Sequence, residues 1–303
     1  MRGVFVDAND SLAEIFERQR KQGDPEVRVN FDPNIKPDEW PSILGGAEIG
    51  VVDHTALPTD IARQCNGLKH VVFLGTGARS YMNPEQLADL GVSVHLIKGY
   101  GDTAVAEAAI ALMWASARVI PWMDRERRAG NWLREDAVQL TGKTLGLIGF
   151  GGIAAEVARI AIGSGMKVIA WNRSPKTHPG VEFVSLDRLL ADSHVVSIHL
   201  LLNDETRGFL SRERIAAMRP GVILVNTARG AIVDEAAMID ALKSGHIRHA
   251  GLDVFNIEPL PKDHPLTKIS NVTLSAHSAF RTPEASENLI HAAWEHCRRI
   301  AKG

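Results

Sequence analysis

Leu145-Gly146-Leu147-Ile148-Gly149-Phe150-Gly151-Gly152-Ile153-Ala154 is the stretch that decides the fold. Its apolar run predicts a strand, its glycines predict a tight turn, and Ile153–Ile162 behind it predicts a helix. Gly149, Gly151 and Ala154 keep the G-x-G-x-x-A spacing of a dinucleotide-binding turn. Gly149 permits the turn, Gly151 lets backbone approach a pyrophosphate, and the small Ala154 lets helix and strand pack closely. Gly152 and Ile153 open the helix, whose free N–H groups and positive dipole end suit phosphate oxygens.

Working outward, the next strand ends in Val168-Ile169-Ala170-Trp171 and is followed by Asn172-Arg173-Ser174. An acid in this place would bind a ribose 2′-hydroxyl and repel a 2′-phosphate. An amide, a guanidinium and a hydroxyl instead suit the phosphate. The expectation is therefore NADP(H) in preference to NAD(H). Further strands are predicted at Val195–Leu200, Val222–Asn226, Ala250–Asp253 and Val272–Leu274, with helices at Arg212–Met218 and Asp234–Ser244. An earlier alternation places strands at Val4–Val6, Ile49–Asp53, His70–Leu74 and Val92–Leu96, and helices at Ser11–Arg20, Thr59–Cys65 and Pro84–Leu90. Strands apolar on both faces predict parallel sheets covered by helices, so the chain reads as two doubly wound α/β domains. Thr103–Arg118 is a long helix joining the two alternations, and Pro283–Arg299 is a second long helix in the tail.

Bulk properties narrow the classes. The 303 residues suffice for about two domains, and the formal net charge of −2 predicts no nucleic-acid or membrane partner held by bulk electrostatics. Ala104–Ala117, the longest apolar stretch, falls short of the about 20 residues a membrane span needs and contains Glu107. Two distant cysteines, Cys65 and Cys297, and no secretory leader fit a reducing cytoplasm. No metal is expected: His194 and His199 sit five apart on a strand and face opposite sides, while His246, His249 and His264 read as exposed loop residues.

Three segments follow apolar strands, where α/β sheets bind ligands. They are Asn226-Thr227-Ala228-Arg229-Gly230, Asp253-Val254-Phe255-Asn256-Ile257-Glu258-Pro259 and Ser275-Ala276-His277-Ser278. The order of these segments resembles the D-isomer-specific 2-hydroxyacid dehydrogenases, which implies a 2-oxo acid substrate with a carboxylate beside its reacting carbonyl. Arg229 is permanently charged and forked, so it can hold that carboxylate and polarise the carbonyl. His277 can exchange the proton that hydride transfer demands, and a carboxylate such as Glu258 on its other ring nitrogen would orient it.

The order of glycine turn, N-T-A-R-G, D-V-F-x-x-E-P and late histidine resembles the D-isomer-specific 2-hydroxyacid dehydrogenases, of the glyoxylate or hydroxypyruvate reductase kind, over about Val71 to Glu284. The resemblance implies a catalytic set of Arg229, Glu258 and His277. It implies a Rossmann cofactor domain at 99–280 inserted into a flavodoxin-like substrate domain of 1–98 plus 281–303, with the active site in the cleft between them. In Leu74-Gly75-Thr76-Gly77-Ala78-Arg79 it implies a loop whose backbone binds the substrate carboxylate; Arg79 either recognises a second acidic group or is simply solvated. Asp102-Thr103-Ala104-Val105 resembles the family's entrance to the interdomain helix. It would place Val105 on the nicotinamide ring and Thr103 near phosphate or nicotinamide. Asp253 would accept from the nicotinamide amide, Thr227 and Ala228 would line the ring, and His199 would lie beside the cofactor. Leu201 departs from the family's usual Pro beside the cofactor, which leaves the details of the adenine pocket open, while Ala276 and Ala108 replace the usual Pro and His without removing a group the chemistry needs. Trp114, Trp122 and Trp132 read either as part of a homodimer contact, which the family builds here, or as ordinary core.

The expected activity is hydride transfer between NADP(H), or NAD(H), and a small 2-oxo or 2-hydroxy acid. The alternatives are a D-3-phosphoglycerate dehydrogenase, disfavoured by a chain that stops at Gly303 without an added regulatory domain, and a non-catalytic dinucleotide-sensing interaction protein.

Overall fold

A computed structural model describes all 303 residues. Its strands are β1 (Arg2–Phe5), β2 (Glu26–Val29), β3 (Ile49–Val52), β4 (His70–Phe73), β5 (Ser93–Leu96), β6 (Thr144–Ile148), β7 (Lys167–Trp171), β8 (Val181–Phe183), β9 (Val195–Ile198), β10 (Val222–Asn226), β11 (Ile247–Leu252) and β12 (Val272–Leu274). Its helices are α1 (Asp10–Arg18), α2 (Trp40–Leu44), α3 (Thr59–Ala62), α4 (Pro84–Asp89), α5 (Asp102–Arg118), α6 (Ile120–Arg128), α7 (Gly152–Gly163), α8 (Leu186–Asp192), α9 (Arg212–Ala216), α10 (Glu235–Ser244) and α11 (Pro283–Lys302). The chain divides into two compact units, 1–101 with 282–303, and 102–281.

The first unit holds a parallel sheet of order β2-β1-β3-β4-β5, the flavodoxin-like order. Asn9 and Thr282 cap α1 and α11 through side-chain oxygens that accept from Leu12 and Ala285 N–H groups. The tail helix belongs to this unit because Trp294 is fully buried, stacks on Phe16 at 4.3 Å and donates its ring N–H to the Phe16 carbonyl.

The second unit holds a parallel sheet of order β12-β11-β10-β9-β6-β7-β8, the Rossmann arrangement with one further strand. Its switch point lies between β6 and β9, where the strand order reverses. The interior strands β9 and β10 are buried along their whole length, as doubly covered strands must be. Alanines of α5 press against α7, β10 and β11, and Gly251 admits that approach: a Cβ there would lie 3.0 Å from Leu112 Cβ and Ser116 Oγ. No single helix is long and apolar enough to cross a membrane.

Two strands escape a reading by apolar runs. Both β2 and β8 lie at sheet edges, with one face exposed, so neither needs an apolar run. The short α2, α8 and the α6 extension, which buries no residue, are likewise additions. His249 corrects an expectation of exposure. It lies within β11, is 2% exposed, and its ring pairs with Thr273 Oγ1 at 2.9 Å. Burial, with Arg125 and Arg248 adding to it, lowers its pKa to about 4. His246 and His264 are half-buried rather than exposed, bonded to the Ile215 carbonyl and the Leu266 N–H.

Candidate active site

The glycine turn connects β6 to α7 at the switch point of the second unit. Gly149 has φ 87°, and a Cβ there would lie 2.6 Å from the His199 carbonyl oxygen, so only glycine fits. At Gly151 a Cβ would meet nothing within 4 Å. This glycine therefore serves an open approach rather than internal packing. Asn172 braces the turn by accepting from Phe150 N–H at 3.1 Å and donating to the Ser174 carbonyl. Lys176 reaches back to donate to the Phe150 carbonyl at 2.5 Å. Its only sequence signal is a basic residue four places beyond Asn172, and the sequence reading passes over it. Arg173 is solvent-exposed and ion-paired with Glu205 at 2.6 Å. Facing the turn just past the end of β9, His199 is bonded to Ser197 Oγ, and burial pushes its pKa down to about 4.

These features fit a bound dinucleotide. The turn has an open side, free helix N–H groups lie at Gly152 and Ile153, and the buried Thr227 Oγ1 has no protein partner. Thr103 is exposed and Val105 half-buried, both in the first turns of α5.

The carboxyl ends of β10, β11 and β12 carry the titratable groups. Asn226, buried at the end of β10, accepts from Ala228 N–H and donates to the Arg229 carbonyl, which sets the bend that presents Arg229. The Arg229 side chain donates to the Ala228 carbonyl at 2.6 Å. Gly230 lies hard against the next segment: a Cβ there would be 2.1 Å from the Phe255 carbonyl carbon. That approach joins the Arg229 loop to the one bearing Glu258. Glu258 accepts from Phe255 N–H with Oε1, and its Oε2 lies 2.6 Å from His277 Nδ1. The imidazole is thereby fixed with Nε2 outward, and both side chains are about a third exposed.

His277 has φ 48°, an uncommon left-handed conformation for a non-glycine residue, costing about 1–3 kcal/mol. Asp253 holds it there. Its carboxylate accepts from Ser275 Oγ, Ser278 N–H and Ala279 N–H, and its carbonyl accepts from His277 N–H at 2.7 Å. Asp253 is thus engaged in shaping the histidine loop, a task the sequence reading does not assign to it. In the first unit, Gly75, Thr76 and Gly77 lie beyond the end of β4. Arg79 follows in a 3-10 turn, exposed and ion-paired with Glu85. An acidic ligand would have to draw it from that partner.

A profile for the D-isomer specific 2-hydroxyacid dehydrogenase, NAD binding domain, matches residues 110–279. The chain belongs to that family. It is accordingly an NAD(P)-dependent dehydrogenase. A hydroxypyruvate reductase of Thermotoga maritima is 37% identical over 84% of this chain and 85% of that protein. A glyoxylate reductase of Aeropyrum pernix is 38% identical over 99% and 93% of the two chains. Among solved structures, an acyclic imino acid reductase (Bsp5), in complex with NADPH and D-Arg, superposes with a TM-score of 0.84 at 29% identity, over 96% of this chain and 94% of that one.

Proposed function

We propose that this dehydrogenase reduces a small 2-oxo acid, of the glyoxylate or hydroxypyruvate kind, to the D-2-hydroxy acid with NADPH. The observation that carries the reaction is the 2.6 Å pair of His277 and Glu258 beside the Arg229 loop. With its pyrophosphate held at the glycine turn, a bound reduced dinucleotide would supply the hydride that the carbonyl carbon accepts. Arg229 holds the substrate carboxylate by paired N–H donors and polarises the carbonyl. His277 gives the proton on Nε2 to the carbonyl oxygen, completing the hydroxyl, and regains one from solvent. Glu258 keeps the ring facing the substrate throughout. In the opposite direction His277 takes the hydroxyl proton as base.

Gly149, Gly151, Gly152 and Ile153 would hold the pyrophosphate, with Thr103, Val105, His199, Thr227, Ala228 and Asp253 along the rest of the cofactor. Preference for NADPH rests on Asn172, Arg173 and Ser174 and gains from Lys176, since β7 ends without a carboxylate. The Gly75–Gly77 loop, with Arg79 after it, is proposed as an anion-binding element of the first unit. We further propose a homodimer. Trp132 and Ile120 are 72% and 55% exposed, and α6 buries nothing within the chain.

The test follows nicotinamide absorbance with both cofactors against glyoxylate, hydroxypyruvate and 3-phosphohydroxypyruvate, with light scattering on the same sample. Turnover of the first two acids by a dimer, with NADPH favoured at least about tenfold in kcat/KM, is expected. An NADH preference would overturn the cofactor assignment. Preference for the phosphorylated acid would favour a phosphoglycerate dehydrogenase, and tight NADPH binding without turnover would favour a sensor.

A further inference from the structure

The glycine turn has an acidic neighbour that the reaction does not use. Asp102 opens α5, and a Cβ on Gly152 would fall 1.8 Å from Asp102 Oδ2. The carboxylate therefore rests directly on the Cα of Gly152, the first residue of α7. That helix end carries the free N–H groups and positive dipole that receive a dinucleotide's phosphates. The side chain is half-buried, and no protein donor lies within hydrogen-bond distance of it. Its charged neighbour is a second acid, Glu156, one turn further along α7, whose own ion pair is with Arg159. Burial, and then Glu156, push the Asp102 carboxyl upward from the ordinary carboxylate range. The positive groups nearest this partly dehydrated carboxylate are the N-terminal turns of α5 and α7, not a cationic side chain, and Asn would keep its place on Gly152 without the charge.

We propose that Asp102 is an affinity-setting residue, a fixed negative charge beside the pyrophosphate position that weakens cofactor binding and hastens cofactor release. Like charges brought together in a partly desolvated site cost binding energy. The pyrophosphate is common to NADP(H) and NAD(H), so Asp102 lowers affinity for both by the same factor. It leaves discrimination to the residues after β7. The functional value lies in turnover: binding that is equally strong before and after the chemical step slows release without aiding the reaction. This inference rests on the family's dinucleotide site and not on the NADPH preference, so the two fail separately.

The experiment titrates wild-type protein and Asp102→Asn with NADPH, NADH, ADP-ribose and adenosine by calorimetry, with cofactor release followed by stopped flow. Asn preserves the contact on Gly152 while removing the charge. The dissociation constants of NADPH, NADH and ADP-ribose should each fall about tenfold in the variant, a change of about 1.4 kcal/mol. Adenosine, which lacks phosphate, should bind both proteins alike, and release of NADPH should slow in proportion. Asp102→Ser, with a smaller neutral side chain, should reproduce the tightening if Asn perturbs folding. Unchanged or weaker binding of the pyrophosphate ligands in both variants would overturn the proposal. So would tightening confined to NADPH.

Discussion

At the scale of single residues, the decisive arrangement is a strained histidine held by two carboxylates with separate tasks. Glu258 binds the ring and Asp253 binds the backbone, and together they fix where Nε2 points. Removing the ring removes the proposed proton donor. His277→Ala should therefore lower kcat by about 10²–10⁴, with cofactor affinity and melting temperature little changed. Glu258→Gln should lower kcat less, because the amide still fills the space beside Nδ1. Near-normal kcat in His277→Ala would remove the histidine from the mechanism. The residue types of this set are legible in the sequence because few side chains can hold a carboxylate, move a proton near neutral pH or orient an imidazole. The second task of Asp253 is not legible, since it depends on the loop after β12 folding back over the end of β11.

At the scale of elements, three glycines that each follow a strand do different work. Gly149 is required by φ 87° and by the His199 carbonyl, and Gly230 by the Phe255 backbone. Gly151 faces open space. Gly230→Ala should thus cost about 1–3 kcal/mol of stability, as overpacking does, and should also lower kcat/KM because it forces the Arg229 loop away from the Glu258 segment. Gly151→Ala should leave the melting temperature unchanged yet weaken cofactor binding. A destabilised Gly151→Ala protein, seen by calorimetric melting, would show that this glycine serves packing after all. The interior strands are legible as apolar runs because helices cover both their faces. The edge strands β2 and β8 are not, since one side of each needs no apolar residue.

At the scale of the whole molecule, the first unit carries two histidine sites of opposite sense. His95 lies against His70 and His296, its ring 3.2 Å from His70 Nδ1. Burial, then its cationic neighbours, lowers its pKa from 6.5 to about 4. The unfolded chain takes up this proton more readily than the folded one. Stability from His95 is therefore full above pH 6.5 and is lost as pH falls towards 4. His54 is bonded to Asp53 and lies near the buried Asp7, and these raise its pKa from 6.5 to about 9. Its stability is full below pH 6.5 and is lost as pH rises through 9. Urea unfolding across pH 4–9 should show both limbs. His95→Gln should make the acid limb shallower, His199 and His249 keeping part of it, and His54→Gln should flatten the alkaline one. An acid limb identical in wild type and His95→Gln would refute the assignment.

Local sequence was enough to read the two parallel α/β layers and the glycine turn, and to single out Arg229, Glu258 and His277 as the candidate set. These follow from local demands: apolar runs for covered strands, glycine where a turn or phosphate leaves no room, and residue types that the chemistry cannot exchange. Tertiary structure alone decided what each group faces. It buried His249 within a strand, tied Arg79 to Glu85 and Arg173 to Glu205, brought Lys176 back to the turn, and laid Asp102 on Gly152. Those relations join residues as many as 50 positions apart, from Asp102 to Gly152, and only strand order and helix packing bring such positions together.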